Sequence, residues 1–215
     1  MTRTLRELEH ELLRETGKRL ARFGFSTRPK GQTFHHDIDG GRVGIHLSFI
    51  EHESDVDVTV DVAIRFDAVE DLVHRSNKLL SKKEKADTFT LGAELGNLER
   101  GEPFRITVST TGEVGRAADG IERKLETVGL PYIEQYSQPG AAYSLLSRDD
   151  REVWVHSPIH AERAKRACAL LEVMGRHSEI TDIGAKKLSF LKSVNDPGAA
   201  VFSRFLAELQ ANGDQ

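Results

Sequence analysis

The hydrophobic positions near the start of the chain have a helical spacing. From Thr4 to Phe23, leucines recur every three or four residues with charged residues between them, which predicts an amphipathic helix. Gly24 follows, where a left-handed C-terminal cap is common. We therefore expect the chain to open with one helix that ends at this glycine.

The spacing then changes to strict alternation of apolar and polar residues, which is typical of strands with one buried face. The turn sequences Asp39-Gly40-Gly41 and His52-Glu53-Ser54 interrupt this alternation. The pattern therefore predicts an antiparallel meander. Its three strands are expected near residues 32–38, 42–50 and 55–66.

The two turns also predict a register. If Gly40-Gly41 and His52-Glu53 are two-residue loops, apolar side chains face each other across both hairpins. The same register puts His35 opposite His46 on the other, polar face, and His46 opposite Thr59.

Helices and short strands are expected to alternate after the meander. A helix is predicted from Asp67, as N-cap, to Leu80, and a polar linker follows it. A later helix is expected to stop at Gly129-Leu130-Pro131. The remaining predictions are a linker or exposed turn at 81–85, strands at 88–95 and 104–110, and the later helix at 113–128.

The chain is predicted to be wholly helical from Ser157. Ser157-Pro158 has the sequence of an N-cap followed by a proline in the first turn, and further helices are expected at 179–194 and from Asp196-Pro197. Together the elements predict an α+β fold, with a sheet of about five antiparallel strands and helices on one face. We expect an α+β domain over residues 1–150 and a helical subdomain over 151–215.

Composition narrows the class of protein. The 215 residues are 38% hydrophobic and 30% charged, as expected for a folded globular chain. A net charge of -4 disfavours a dedicated nucleic-acid binder, and a single cysteine suits a reducing cytoplasm. The sequence has no apolar run long enough for a membrane span and no apolar signal-peptide core. We therefore expect a cytoplasmic protein.

Common catalytic motifs are missing from the sequence. There is no phosphate-binding loop, no HExxH helix, no GxSxG elbow and no paired CxxC. Cys168 lies in an apolar helical stripe, where a thiol is normally inert packing. These absences favour a non-enzymatic role, and no cofactor is predicted on this interpretation.

The polar face of the meander suggests an alternative function, catalysis at a metal site. The predicted register gathers two imidazoles and two carboxylates, and His nitrogen and Asp oxygen are ordinary ligands of divalent metals. A site with an open coordination position could activate water for a metal-dependent hydrolase. The proposed ligands are His35, His46, Asp57 and Asp61.

Two features indicate a protein partner instead. Asp55, Asp57 and Asp61 form an acidic strand face that could dock a basic protein. Trp154 lies close in sequence to several tyrosines near the expected domain junction, and aromatic side chains with a polar atom are favoured at interfaces. An internal junction would explain these aromatic residues equally well. They are Tyr132, Tyr136, Tyr143 and Trp154.

Short motifs also resemble a known family. The first helix ends in Arg22-Phe23-Gly24-Phe25, Gln32-Thr33-Phe34-His35 follows, and the later helix leads into Gly129-Leu130-Pro131-Tyr132-Ile133-Glu134. This organisation, over about residues 5–150, resembles domain-of-unknown-function family 4304. The resemblance implies an α+β fold and a bacterial cytosolic origin. It gives no active-site residues, but it makes an immunity-type role, binding a basic toxin, a reasonable expectation.

Overall fold

The centre of the fold is an antiparallel sheet whose strands have one buried face. The computed structural model describes residues 5–213 and contains an open five-stranded antiparallel sheet with helices. Its first four strands follow the order β1-β2-β3-β4, and β5 also pairs with β3. The strands are β1 (Thr33–Ile38), β2 (Gly41–Glu51), β3 (Val56–Phe66), β4 (Leu91–Glu94) and β5 (Ile106–Val108).

The three-strand meander is confirmed. Every second residue of β3 from Val56 to Ile64 is buried, while the residues between them are half-buried. Val43, Ile45 and Leu47 of β2 continue the same buried face. The alternation therefore separates a core face from a more polar face, as predicted.

The first hairpin has a different register from the predicted one. Ile38 pairs with Gly41, so the two-residue turn is Asp39-Gly40, one position earlier than expected. Gly40 has a φ of +68°, which glycine adopts without a Cβ clash. As a result His35 lies opposite Gly44, and His46 lies opposite Thr33. The predicted pairing of His35 with His46 is wrong.

The second turn is also displaced, in the opposite direction along the chain. The backbone N–H of His52 donates to the carbonyl of Asp55 at 2.9 Å. This hydrogen bond encloses Glu53 and Ser54, whereas His52-Glu53 was the predicted turn. The core face keeps its residues, because moving a two-residue turn by one position shifts the pairing by two.

The opening helix has the predicted cap. It comprises α1 (Leu5–Leu20), which continues into a 3₁₀ turn over Ala21–Phe23. Gly24 adopts a φ of +83° and its N–H donates to the carbonyl of Ala21, so the left-handed cap is confirmed. Thr4, the first residue of the predicted helix, lies outside the described residues.

The helix predicted after the meander is shorter than expected. It is α2 (Asp67–His74), with Phe66 rather than Asp67 at the N-cap. The supposed linker contains a further helix, α3 (Lys82–Ala86). Ser81 accepts from the backbone N–H of Glu84 while the Glu84 carboxylate accepts from that of Ser81, which forms a capping box. The two short strands that follow were predicted correctly, since β4 and β5 lie within the ranges expected for them.

The later helix does not stop at Pro131. After α4 (Leu95–Glu99) and α5 (Thr111–Lys124), a π-helical turn over Leu125–Gly129 leads into α6 (Leu130–Tyr136). The helix therefore continues through Pro131, and the π-helical turn before it supplies the local change in hydrogen bonding that a proline without an N–H requires. The predicted stop is therefore wrong.

The C-terminal part is helical, as predicted, but its first helix starts later than Ser157. His160 is the first residue of that helix and Ile159 its N-cap, while the Ser157 carbonyl accepts a hydrogen bond from Arg163. The next two helices lie close to their predicted positions. The helices here are α7 (Pro139–Leu146), α8 (His160–Val173), α9 (His177–Ser193) and α10 (Ala199–Gly213).

The chain divides into two compact units that differ from the predicted division at residue 150. Unit 1 contains the residues up to Ile64 and Gly92–Gln135, and unit 2 contains Arg65–Leu91 and the residues from Tyr136 onward. In unit 1, α1 packs against α5, and these helices contact β2 and β5, respectively. In unit 2, α8 packs against α2, α7, α9 and α10. Within the described part of the chain, no helix combines the length and apolar character that a membrane span requires.

Candidate functional site

The acidic residues predicted to dock a partner have different environments. Asp57, on β3, is bound within unit 1: its Oδ1 accepts from the Thr107 hydroxyl at 2.6 Å, and its Oδ2 lies 3.7 Å from the Arg105 guanidinium. These contacts, with one from His52, hold the pKa of Asp57 below its usual range. Much of its negative charge is thus compensated inside the protein.

Asp61 lies further along β3, beside His46. Burial raises the pKa of Asp61, and the neighbouring imidazole partly offsets this effect. Burial likewise lowers the pKa of His46, which the Asp61 charge opposes. The Nδ1 atom of His46 also lies 2.9 Å from the Thr33 hydroxyl. The two residues are therefore neighbours, but in a half-buried environment rather than on an open acidic surface.

The structure brings a different set of possible metal ligands together. Among residues 5–213, one His/Asp trio has ligand atoms that all lie within 4.8 Å of one another, namely His52, Asp55 and Asp57 at the second turn. His52 Nε2 lies 3.2 Å from Asp57 Oδ2. Of the predicted ligands, only Asp57 belongs to this trio. The nearby Arg105 cation competes with a metal for the same carboxylate, and the predicted metal set stays a prediction.

Trp154 lies in a different setting, on a short turn that presents it to solvent. A 3₁₀ turn over Glu152–Val155 is anchored by Asp150, whose Oδ1 accepts from the backbone N–H of Glu152 at 3.0 Å. Val153 points into the core and is fully buried, so the next two side chains point outward. Trp154 is 46% exposed, a large fraction for an indole.

Two further aromatic rings support the indole. The His160 ring lies 5.3 Å from the Trp154 ring at 72°, and the Phe190 ring lies 5.3 Å from His160 at 79°. Both are edge-to-face arrangements, which aromatic quadrupoles favour. The stack joins the 3₁₀ turn, α8 and α9 into one surface within unit 2.

Exposed aliphatic residues extend this surface. Ile159, the N-cap of α8, is 62% exposed, and Val194 follows Phe190 by one helical turn. We call this set the Trp154 surface. It comprises Trp154, Val155, Ile159, His160, Phe190 and Val194.

A buried arginine, Arg163, forms a hydrogen bond with the His160 ring of this surface. Arg163, 1% exposed, donates from Nη2 to His160 Nδ1 at 2.8 Å and from Nη1 to the Ser157 carbonyl at 2.7 Å. Because the guanidinium is always a donor, His160 Nδ1 must be the acceptor. Burial lowers the pKa of Arg163, and the Asp149 carboxylate opposes this effect. The hydrogen bond therefore fixes the orientation of the imidazole that contacts Trp154 edge to face.

Two of the predicted interface tyrosines and the cysteine are internal, while Tyr136 is half-buried. Tyr132 is buried, and so is Tyr143, over whose ring the Arg176 guanidinium lies at 4.8 Å. Cys168 is also fully buried, and burial raises its pKa to about 12, so little thiolate exists at neutral pH. The prediction that this cysteine is packing is confirmed.

The sequence identified Trp154 but missed the residues that support it. His160 and Arg163 lie one turn apart on α8, but Phe190 joins them only when α8 packs against α9, and no local motif marks that contact. The available signal in the sequence is Trp154-Val155, two adjacent apolar residues outside the predicted helices.

Comparisons with known proteins add no assignment. No protein-family model, curated protein or solved structure matches this chain. The resemblance to domain-of-unknown-function family 4304 therefore stays a prediction.

Proposed function

We propose that this chain is a non-enzymatic protein-interaction module, and that it binds its partner through the Trp154 surface. The observation that carries this proposal is an exposed indole fixed by edge-to-face contacts above a buried arginine. Tryptophan is among the residues most enriched at interface hot spots, since it buries a large area with few rotatable bonds. A pre-ordered indole also loses little side-chain entropy on binding.

The partner that suits this surface presents an apolar pocket for the indole. Val155, the next residue in the chain, is 39% exposed and Ile159 is 62% exposed, so a complementary apolar surface would exclude water around the central contact. Three of the charged residues just before it are already paired, because Arg148 binds both Asp150 and Glu152. Apolar contact, rather than charge, would therefore supply most of the affinity.

The acidic strand face supports docking less well. Asp57 is engaged by Thr107, His52 and Arg105, and Asp61 is half-buried beside His46. Neither carboxylate is free to meet a basic partner without losing contacts inside unit 1. A basic toxin as partner, and a bacterial cytoplasmic setting, stay predictions from the sequence.

Affinity capture with matched variants tests the proposal. The full chain, Trp154→Ala, Ile50→Ala and Asp55→Asn would be immobilised separately and exposed to lysate of the source organism. Ile50 is an exposed apolar residue of unit 1, so its substitution controls for general stickiness. We expect one protein to be retained in stoichiometric amount by every bait except Trp154→Ala.

Three results would contradict the proposal. The first is capture that Trp154→Ala leaves unchanged, and the second is loss of capture with Asp55→Asn, which would favour the acidic face. The third is the absence of any stoichiometric partner when light scattering also shows a monomer. A concentration-dependent dimer lost in Trp154→Ala would instead identify a second copy of this chain as the partner.

A further inference from the structure

Unit 2 contains a pocket whose interior is largely apolar. Its volume is about 400 Å³, within the range of roughly 300–1,000 Å³ that is common for small-molecule sites. The segment after α2 forms one wall, and α8 and α10 form the others. Leu79 at this pocket is 93% exposed, so its side chain is accessible to a ligand. The apolar lining residues are Leu72, Val73, Leu79, Val201 and Phe205.

Some charged residues of the pocket have a partner within the protein, and others do not. Lys165 is 7% exposed, and its Nζ donates to Glu162 Oε1 at 2.6 Å. The Glu208 carboxylate accepts from the Ser76 hydroxyl. Lys78 and Arg204 also line the pocket, and neither has an ion-pair partner among residues 5–213. Both carboxylates are therefore engaged, while two cations are available to a ligand.

The walls of the pocket are held in place before any ligand arrives. The Ser76 hydroxyl donates to Glu208 Oε2 at 2.6 Å, which ties the segment after α2 to α10. The backbone N–H of Leu79 donates to Asn77 Oδ1 at 2.9 Å, which fixes the local turn that carries the exposed leucine. A preformed pocket loses less entropy when it binds.

We propose that this pocket binds a small amphiphile with an apolar chain and a single carboxylate head. The chain would lie on Leu72, Val73 and Phe205, and its burial would supply the main driving force. The carboxylate would accept charge-assisted hydrogen bonds from Lys78 and Arg204. This inference does not depend on the proposed function, because none of these residues belongs to the Trp154 surface.

Calorimetric titration of the full chain tests the proposal with three matched probes. Octanoate, octan-1-ol and octylammonium share one alkyl chain and differ in the charge of the head. We expect octanoate to bind most tightly. The Lys78→Gln/Arg204→Gln variant should weaken octanoate binding at least about tenfold, and should change octan-1-ol binding little. Lys78 and Arg204 are both exposed, so the fold should survive their substitution, which circular dichroism would verify.

A charge-matched control separates this site from general attraction. Lys186 and Lys192 are exposed on α9 and do not line the pocket, so Lys186→Gln/Lys192→Gln changes the net charge equally. Octanoate affinity should be unchanged in this control. Equal binding of octan-1-ol and octanoate would overturn the carboxylate preference, tighter binding of octylammonium would reverse it, and no binding of any probe would exclude the site.

Discussion

Arg163 donates a hydrogen bond from its buried guanidinium to Nδ1 of His160 at 2.8 Å, and the same His160 ring makes an edge-to-face contact with Trp154. A charged side chain deep in unit 2 thereby fixes the orientation of an exposed aromatic one. The same guanidinium donates to the Ser157 carbonyl, where the chain enters α8. The stability of this region and the order of the Trp154 surface should consequently depend on the same residue.

Arg163→Lys should reveal this dependence. A lysine has a single ammonium in place of the planar fork and cannot serve both acceptors with the same geometry. We expect the free energy of unfolding to fall by about 1–3 kcal/mol, since buried acceptors lose their donor. The emission of Trp154, the single tryptophan of the chain, should shift at the same time.

Urea denaturation followed by fluorescence measures both effects. Arg151→Lys makes the same chemical change at an exposed position three residues before Trp154, and should leave stability and emission unaltered. If Arg163→Lys behaves like this control, the guanidinium does not organise the Trp154 surface.

Alternation of apolar residues was enough to predict the sheet, but could not set its register. Moving a hairpin turn by one residue shifts the pairing by two, and every core side chain stays on the core face. The pattern excludes only slips of one residue. His35 and His46 therefore kept their correct face while their predicted pairing was wrong, and the proposed metal set depended on that pairing.

The helical errors have local physical causes. The sequence Ser81-Lys82-Lys83-Glu84 carries a capping-box signature, but its polarity alone predicts only a linker or exposed turn. Pro131 has the sequence signature of a helix stop, but the π-helical turn before it changes the local hydrogen bonding so that the helix continues through the proline. The residues that surround Trp154 could not be predicted for another reason. They come together through packing between α8 and α9, and no sequence motif marks that packing.

A buried ion pair in unit 2 predicts a distinct pH dependence. Glu70 is fully buried and receives two hydrogen bonds from Arg166, at 2.9 and 3.2 Å. Burial raises the pKa of Glu70, but the His74 imidazole, whose Nε2 lies 3.2 Å from Glu70 Oε2, and the Arg166 charge outweigh this effect and hold the pKa well below its usual range. The ionised carboxylate therefore stabilises the contact between α2 and α8.

Glu70→Gln should lower the free energy of unfolding by about 3–5 kcal/mol at neutral pH, because it leaves the Arg166 charge without its partner. Since the folded pKa is depressed, the contribution of Glu70 is fully present above the ordinary glutamate value of 4.5 and is lost as the pH falls below it. The difference between wild type and variant should therefore shrink in acid.

Urea unfolding at a series of pH values provides the measurement. Asp71→Asn removes an exposed carboxylate from the same helix and should change stability by no more than about 0.5 kcal/mol at any pH. A wild-type-to-variant difference for Glu70→Gln that stays constant into acid would contradict the assigned ionisation.

The neighbouring residues His46 and Asp61 allow a titration with a definite sign. Burial lowers the pKa of His46, and the negative charge of Asp61 opposes that effect. The His46 imidazole should thus titrate below 6.5 in an NMR experiment, and Asp61→Asn should move its midpoint lower still.

Asp37→Asn, at an exposed position on β1, serves as the control and should leave the titration midpoint of His46 in place. Because the unfolded chain binds the proton more readily, protonation of His46 should destabilise the fold as the pH falls through 6.5. A midpoint above 6.5, or a rise in Asp61→Asn, would show that the two side chains do not share a half-buried environment.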